Sequence, residues 1–148
     1  MVLFNEPFLT RYREMSLRAR ALKERLTPEA YVRHRDVKAF LGVRDAVSEI
    51  VPRNPEDPNF LLSGPLAKFR RVKGRGLPKR YRLFFVFSNS AKVIIFLYLN
   101  DERTLRKEGS PDDPYVIFTR MVQRGEIGAD FDANHDIWKK RVGTATHD

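Results

Sequence analysis

The stretch Tyr81-Arg82-Leu83-Phe84-Phe85-Val86-Phe87-Ser88-Asn89-Ser90-Ala91-Lys92-Val93-Ile94-Ile95-Phe96-Leu97-Tyr98-Leu99 holds two apolar runs around one short polar break. Phe, Val and Ile dominate both runs, and these side chains suit a pleated, buried surface. Val93 to Leu99 is the longest nearly apolar run, far too short to span a bilayer and the right length for a buried strand. With Ser88-Asn89-Ser90 as the connection, strands over 81–87 and 92–99 form an antiparallel hairpin. Upstream, Phe69 to Lys73 reads as a further strand, followed by the turn-rich Gly74-Arg75-Gly76-Leu77-Pro78. Phe60-Leu61-Leu62 reads as a short strand before the Gly64-Pro65 turn.

Helical spacing flanks this sheet on both sides. Phe8, Tyr12, Met15, Ala19, Leu22 and Leu26 recur every three or four residues, with charged residues on the other faces. Thr27-Pro28-Glu29 supplies an N-cap with proline at the first helical position. A second helix is expected to run on to about Val51, carried by Val37, Phe40, Leu41, Val47 and Ile50, and to stop at Pro52. The two fold back as a helical hairpin. Downstream, Asp113-Pro114 opens a helix bearing Tyr115, Phe118, Met121 and Val122 that ends at Gly125. A last short helix carries Phe131, Ile137 and Trp138. The expected architecture is a single α+β domain over 1–148: a helical hairpin (8–51), a small twisted antiparallel sheet (60–99) and C-terminal helices (113–141).

The bulk composition agrees. A chain of 148 residues with 42% hydrophobic residues buries one core and is short for two. It has no cysteine, which excludes disulfides and thiolate metal sites. Met1 to Pro7 lacks the basic start and apolar core of a signal peptide, so a cytoplasmic protein without a membrane segment is expected.

Charge is distributed very unevenly. Lys68, Arg70, Arg71, Lys73, Arg75, Lys79, Arg80 and Arg82 put 8 basic and no acidic side chains into 15 residues, leaving 20 basic against all 19 acidic ones elsewhere. Nearly all of the formal net charge of +9 thus sits in one short segment. Self-repulsion of that kind costs stability unless an anion meets it, and a nucleic-acid backbone is the obvious anion. On charge alone, this is a face for RNA or for an acidic partner, with or without catalysis.

The blocks Arg71-Val72-Lys73, Tyr81-Arg82-Leu83-Phe84-Phe85, Lys92-Val93-Ile94-Ile95-Phe96, Asn100-Asp101-Glu102 and Thr104-Leu105-Arg106 resemble YhaV-type toxins. These are a branch of the RelE/ParE superfamily of bacterial toxin–antitoxin systems. The likeness runs from the helical hairpin to Trp138 and is densest from Phe69 to Phe118. It implies a RelE-like fold and a type II toxin acting as a ribosome-dependent mRNA endoribonuclease that inhibits translation, with no metal and no cofactor. It also implies a cognate antitoxin of the swapped-hairpin, DNA-binding, PrlF-like kind, with operator DNA bound only by the toxin–antitoxin complex. In such ribonucleases the active surface is a face of the sheet built from Arg, Lys and a Tyr. Carried over by position, the catalytic set is Arg71, Lys73, Arg82, Arg103 and Tyr115.

That set suits the chemistry. RNA cleaves when a 2′-hydroxyl attacks the adjacent phosphate in line, which requires orientation, proton transfer and neutralisation of the phosphorane charge. Strand alternation puts Arg71 and Lys73 on one face, and Arg82 can join them from the neighbouring strand. The guanidinium groups hold phosphate oxygens, Lys73 serves as general base or acid, and Tyr115 stacks on a base or donates its proton. Lys68, Arg70, Arg75, Lys79 and Arg80 are the expected RNA-binding residues around it. The rival readings are a toxin that is not a nuclease, like the gyrase-poisoning branch, and a module that binds RNA or a partner through the same face without cutting.

Other signals are weaker. Gly74-Arg75-Gly76 lacks the lysine and hydroxyl of a phosphate-binding loop and reads as a flexible turn. His34, His135 and His147 have no metal-ligand spacing, though His147 sits on a tail that can fold over a site. Tyr81 reads as core packing, while Tyr98 borders the active face. Asp101 and Glu102 are candidates for a general base but, beside Arg103 and Arg106, read rather as ion-pair partners, and Asp112-Asp113 reads as a helix cap.

Overall fold

The two apolar runs form strands β3 (Leu83–Ser88) and β4 (Val93–Leu99), paired antiparallel at the centre of a four-stranded sheet. The computed structural model describes residues 1–147, with side chains through Gly143. The outer strands are β1 (Val2–Phe4) and β2 (Arg70–Val72), giving the order β1-β4-β3-β2. β2 is antiparallel to β3, but β1 runs parallel to β4, so the sheet is mixed and has one more strand than the sequence pattern discloses. Phe60-Leu61-Leu62 does not form a strand. Proline-led Pro58–Phe60 is a 3-10 turn, and Leu61 makes a single bridge to Arg70.

Alternation along β3 sends neighbouring side chains into two separate cores. Leu83 and Phe85 pack with Phe8, Met15, Val43 and Val47. Phe84 and Val86 pack with Phe69, Phe118 and Ile127 on the opposite face. This is why both runs are almost wholly apolar, since the sheet is the middle layer and neither face meets water. Between Phe84 and Phe85 of β3 the pairing with β4 slips, so that Leu97 of β4 is the extra residue and both Leu97 and Tyr98 enter the second core.

The first face is covered by α1 (Glu6–Arg25), α2 (Pro28–Arg33) and α3 (Arg35–Asp45). Thr27 caps α2 as its sequence requires, its side chain accepting from the Ala30 N–H at 3.2 Å. The expected single helix from Pro28 to Val51 is instead broken at His34, whose extended backbone ends α2 and whose ring Nδ1 caps α3 through the Asp36 N–H at 3.1 Å. Pro52 does not stop the chain at once. A proline ring crowds the carbonyl four residues back. Ala46–Ile50 widens into a π turn, in which the Val51 N–H reaches the Ala46 carbonyl, before a last turn, α4 (Val51–Arg53).

The second face is covered by α5 (Pro114–Gln123) and α6 (Phe131–His147). Phe118 is fully buried and stacks on Phe84 with ring centroids 4.2 Å apart, which fixes α5 on the sheet. α6 is longer than the short helix expected, and it reaches β1 through Arg141, which bonds the Phe4 carbonyl and Glu6.

Candidate active site

Arg71 lies opposite Phe84 in the β2–β3 register, so its side chain leaves the sheet on the α5 face. Arg82, two residues before Phe84, leaves on the same face. Tyr115 stands in the first turn of α5, where the Asp113 carboxylate caps its backbone N–H at 2.9 Å. These three side chains meet. The Tyr115 hydroxyl accepts from Arg71 Nε at 3.0 Å and from Arg82 Nε at 3.2 Å. Arg71 also donates to the Asn59 carbonyl at 2.7 Å and Arg82 to the Tyr81 carbonyl at 2.8 Å, both from Nη1. A hydroxyl has two lone pairs and one hydrogen. With both lone pairs engaged by guanidinium N–H groups, the Tyr115 hydrogen is the part of the hydroxyl left to donate to a further partner.

A fourth side chain completes the cluster. The Arg106 guanidinium lies 5.0 Å from the centroid of the Tyr115 ring and is ion-paired with Asp113 at 2.8 Å. Burial works against the Asp113 charge, but Arg106 and the backbone N–H groups of Lys107 and Tyr115 outweigh it and hold the carboxyl below the usual range. Asp113 is thus fully occupied. Among the described residues neither Arg71 nor Arg82 forms an ion pair with a carboxylate. Two guanidinium groups therefore converge on one phenol with donors to spare and no counterion, an arrangement that accepts an oxyanion such as phosphate.

Of the five residues expected to be catalytic, Arg71, Arg82 and Tyr115 are brought together. Lys73 is not in the contact set: β2 ends at Val72, and the lysine is exposed one residue beyond it, without a hydrogen bond or ion pair among the described residues. Arg103 is exposed too. Its backbone N–H bonds the Asp101 carboxylate at 2.9 Å, while its side chain makes no contact with Tyr115; Arg106 takes that place. Sequence reasoning treated Arg106 only as an ion-pair partner.

The expected RNA-binding residues divide. Arg70 projects to the opposite face, its guanidinium 5.3 Å from the Phe87 ring centroid. Arg75 is paired with Asp57 at 2.7 Å and lies 5.3 Å from the Phe60 ring centroid. Arg80 donates from Nε to the Arg106 carbonyl at 2.9 Å. Lys68 and Lys79 are exposed.

Glu102 is an ion-pair residue, but its partner is Arg11 at 3.4 Å, and it also accepts from the Tyr81 hydroxyl at 2.7 Å. Burial and that bond to a carboxylate push the Tyr81 hydroxyl pKa well up, as befits a packing residue. Tyr98 is core, stacked on Phe84 with ring centroids 6.0 Å apart, and burial raises its pKa. His34 caps a helix and His135 lies between Phe131 and Trp138, whereas the His147 side chain lies outside the described residues. Among the described residues no group of 3 or more His, Cys, Asp and Glu side chains gathers to hold a metal ion, and no helix is long and apolar enough to cross a membrane.

Comparison with known proteins places this cluster in context. The ribonuclease toxin YhaV of Escherichia coli K12 is 40% identical over 111 residues, spanning 71% of this chain and 70% of that protein. Toxin YhaV of Escherichia coli O6:H1 is 40% identical over 112 residues, 72% of this chain and 71% of that one. The crystal structure of the isolated E. coli RelE toxin aligns with a TM-score of 0.45 and 16% identity, covering 84% of this chain and 96% of that chain. A family model described as a toxin with endonuclease activity, of a toxin–antitoxin system, matches residues 2–137. The chain belongs to that family, the YhaV toxins.

Proposed function

We propose that this toxin is a metal-independent endoribonuclease that cuts mRNA on the ribosome and thereby stops translation. The observation that carries the proposal is the Tyr115 hydroxyl held between the unpaired guanidinium groups of Arg71 and Arg82. A ribonucleotide supplies its own nucleophile. Its 2′-oxygen forms a bond to phosphorus as the bond to the 5′-oxygen breaks, leaving a cyclic phosphate and a free 5′-hydroxyl. Arg71 and Arg82 neutralise the charge that builds on the phosphoryl oxygens. Tyr115 delivers its hydroxyl hydrogen to the departing 5′-oxygen. The 2′-hydroxyl proton leaves to water, and Lys73, exposed beside β2, adds a further positive charge near the phosphate. The endonuclease activity of the family sets aside the non-nuclease toxin and the plain binding module.

The toxin–antitoxin family implies an antitoxin partner. We take it to be a swapped-hairpin, DNA-binding, PrlF-like protein that lets the complex, and not the free toxin, bind operator DNA in the cytoplasm. The reading is tested by incubating the protein with naked RNA and with translating ribosomes, both in excess chelator, and mapping new 5′ ends. New ends on ribosomes only, lost by a factor of about 100 or more in Arg82→Ala, are expected. Undiminished cutting by Arg82→Ala overturns the site assignment, and loss of cutting in chelator overturns metal independence.

A further inference from the structure

The loop joining β4 to α5, residues 100–113, brings Arg106 and Tyr115 to Arg71 and Arg82, and it begins and ends on a buried polar side chain. Asn100 is 1% exposed and Asp113 2%. Neither touches the open face of the site, and both spend their hydrogen bonds on what surrounds it.

Asn100 Oδ1 accepts the Arg82 backbone N–H at 2.7 Å. Its Nδ2 donates to the Arg80 carbonyl at 3.1 Å and to the Thr104 carbonyl at 2.7 Å. One amide therefore ties the entry to β3 to the loop that carries Arg106. Arg80 sits at φ +71°, a left-handed conformation rare for a side-chain-bearing residue. Such a conformation persists only where its surroundings over-determine it. Here the Arg80 carbonyl also accepts the Arg106 N–H at 2.9 Å, and the Arg80 side chain returns the bond to the Arg106 carbonyl. At the loop's other end Asp113 Oδ1 accepts from Arg106 Nη1 and from the Lys107 N–H, both at 2.8 Å, while Oδ2 caps the N–H of Tyr115.

We infer that Asn100 and Asp113 are positioning residues of the nuclease site: Asn100 sets the backbone from which Arg82 projects, and Asp113 sets Arg106 against the Tyr115 ring. The inference rests on the ribonuclease reading above and adds two groups that never contact RNA. A shift of about 1 Å at a reacting group costs on the order of a hundredfold in rate. The two side chains act through geometry, so they govern the rate of the bound complex and leave its affinity alone.

The test uses two isosteric variants of the full chain. Asp113→Asn keeps a cap acceptor but loses the charge that holds Arg106. Asn100→Asp keeps the acceptor for Arg82 but loses both donors. Circular dichroism and thermal melting establish the folded fraction, and binding is titrated with ribosomes programmed with an mRNA carrying 2′-deoxyribose at the cleavage site, which binds but has no nucleophile. Single-turnover cutting of the matching all-ribose mRNA on the same ribosomes then gives the rate per bound complex. Each variant is expected to bind within about threefold of the parent and to cut roughly ten- to a hundredfold more slowly once bound. An unchanged rate per bound complex, or a loss no larger than the loss of folded protein, overturns the inference. A parent protein that cuts the message neither free nor on translating ribosomes sinks the ribonuclease reading itself, and that outcome is separate because it appears in the control.

Discussion

Gly42 of α3 and Gly76 of the turn before β3 meet backbone to backbone, and the approach is so close that a Cβ on Gly42 would stand 2.0 Å from the Gly76 carbonyl oxygen. Gly76 itself sits at φ +92°, which favours glycine. The segment Gly74-Arg75-Gly76, read from sequence as a flexible turn, is thus seated against a helix and tied by Arg75 to Asp57. Gly42→Ala is expected to cost about 3 kcal/mol or more, because the obstructing atom is main chain and cannot swing away. Denaturant unfolding measures this directly, and a loss under about 0.5 kcal/mol would show that the turn yields freely. The substitution lies in the contact that seats the turn leading to Arg82, so it probes support for the site without touching it.

At the level of elements, what could be read in the sequence follows the range of the interaction that makes each one. The α1 stripe, the Thr27 and Asp113 caps and the central hairpin are local, and all are where their residues place them. β1 is not local: Val2-Leu3-Phe4 pairs in parallel with Ile94-Ile95-Phe96, a partner no neighbouring residue announces. The candidate site divides in the same way. Arg71 and Arg82 were legible through the resemblance together with strand alternation, and Tyr115 through the resemblance alone. Arg106 was not, because a loop has no period, and its place depends on a buried carboxylate seven residues on. That carboxylate makes a pH prediction for this end of α5. Asp113 has its pKa lowered by folding, so its contribution is fully present above the ordinary carboxylate value near 4 and is lost as pH falls through the folded value. Acid titration of Asp113→Asn is expected to show a protein about 1–3 kcal/mol less stable at pH 7 and a smaller loss of stability below pH 4 than the parent. Parallel acid-unfolding curves for the two proteins would mean that the Arg106–Asp113 bond contributes nothing to the fold.

Across the whole molecule, the sheet sorts the basic segment between its faces. The sequence concentrates 8 cations in 15 residues, but the fold does not present them as one patch. Arg71 and Arg82 face α5 and remain without a carboxylate, Arg70 crosses to the helical-hairpin side, and Arg75 is used up on Asp57. The Asp57 carboxyl is held below the ordinary range, first by the Asn59 N–H and, against burial, by Arg75, whose Nη2 stands 2.7 Å from it. A count of positive charge therefore overstates the number of phosphates the protein neutralises. The salt dependence of binding separates the two numbers, since each phosphate neutralised on a single strand contributes about 0.7 to the slope of log affinity against log salt. Measured on a non-cleavable RNA, Arg71→Gln is expected to reduce that slope by about 0.7, and Arg75→Gln to leave it within about 0.2 of the parent. Equal reductions would mean that the Asp57 pair opens to RNA and that the basic segment acts as a single surface. A change confined to Arg71 would mean that the fold, by choosing which face each arginine leaves from, has turned a diffuse charge into a site for one phosphate and its neighbours.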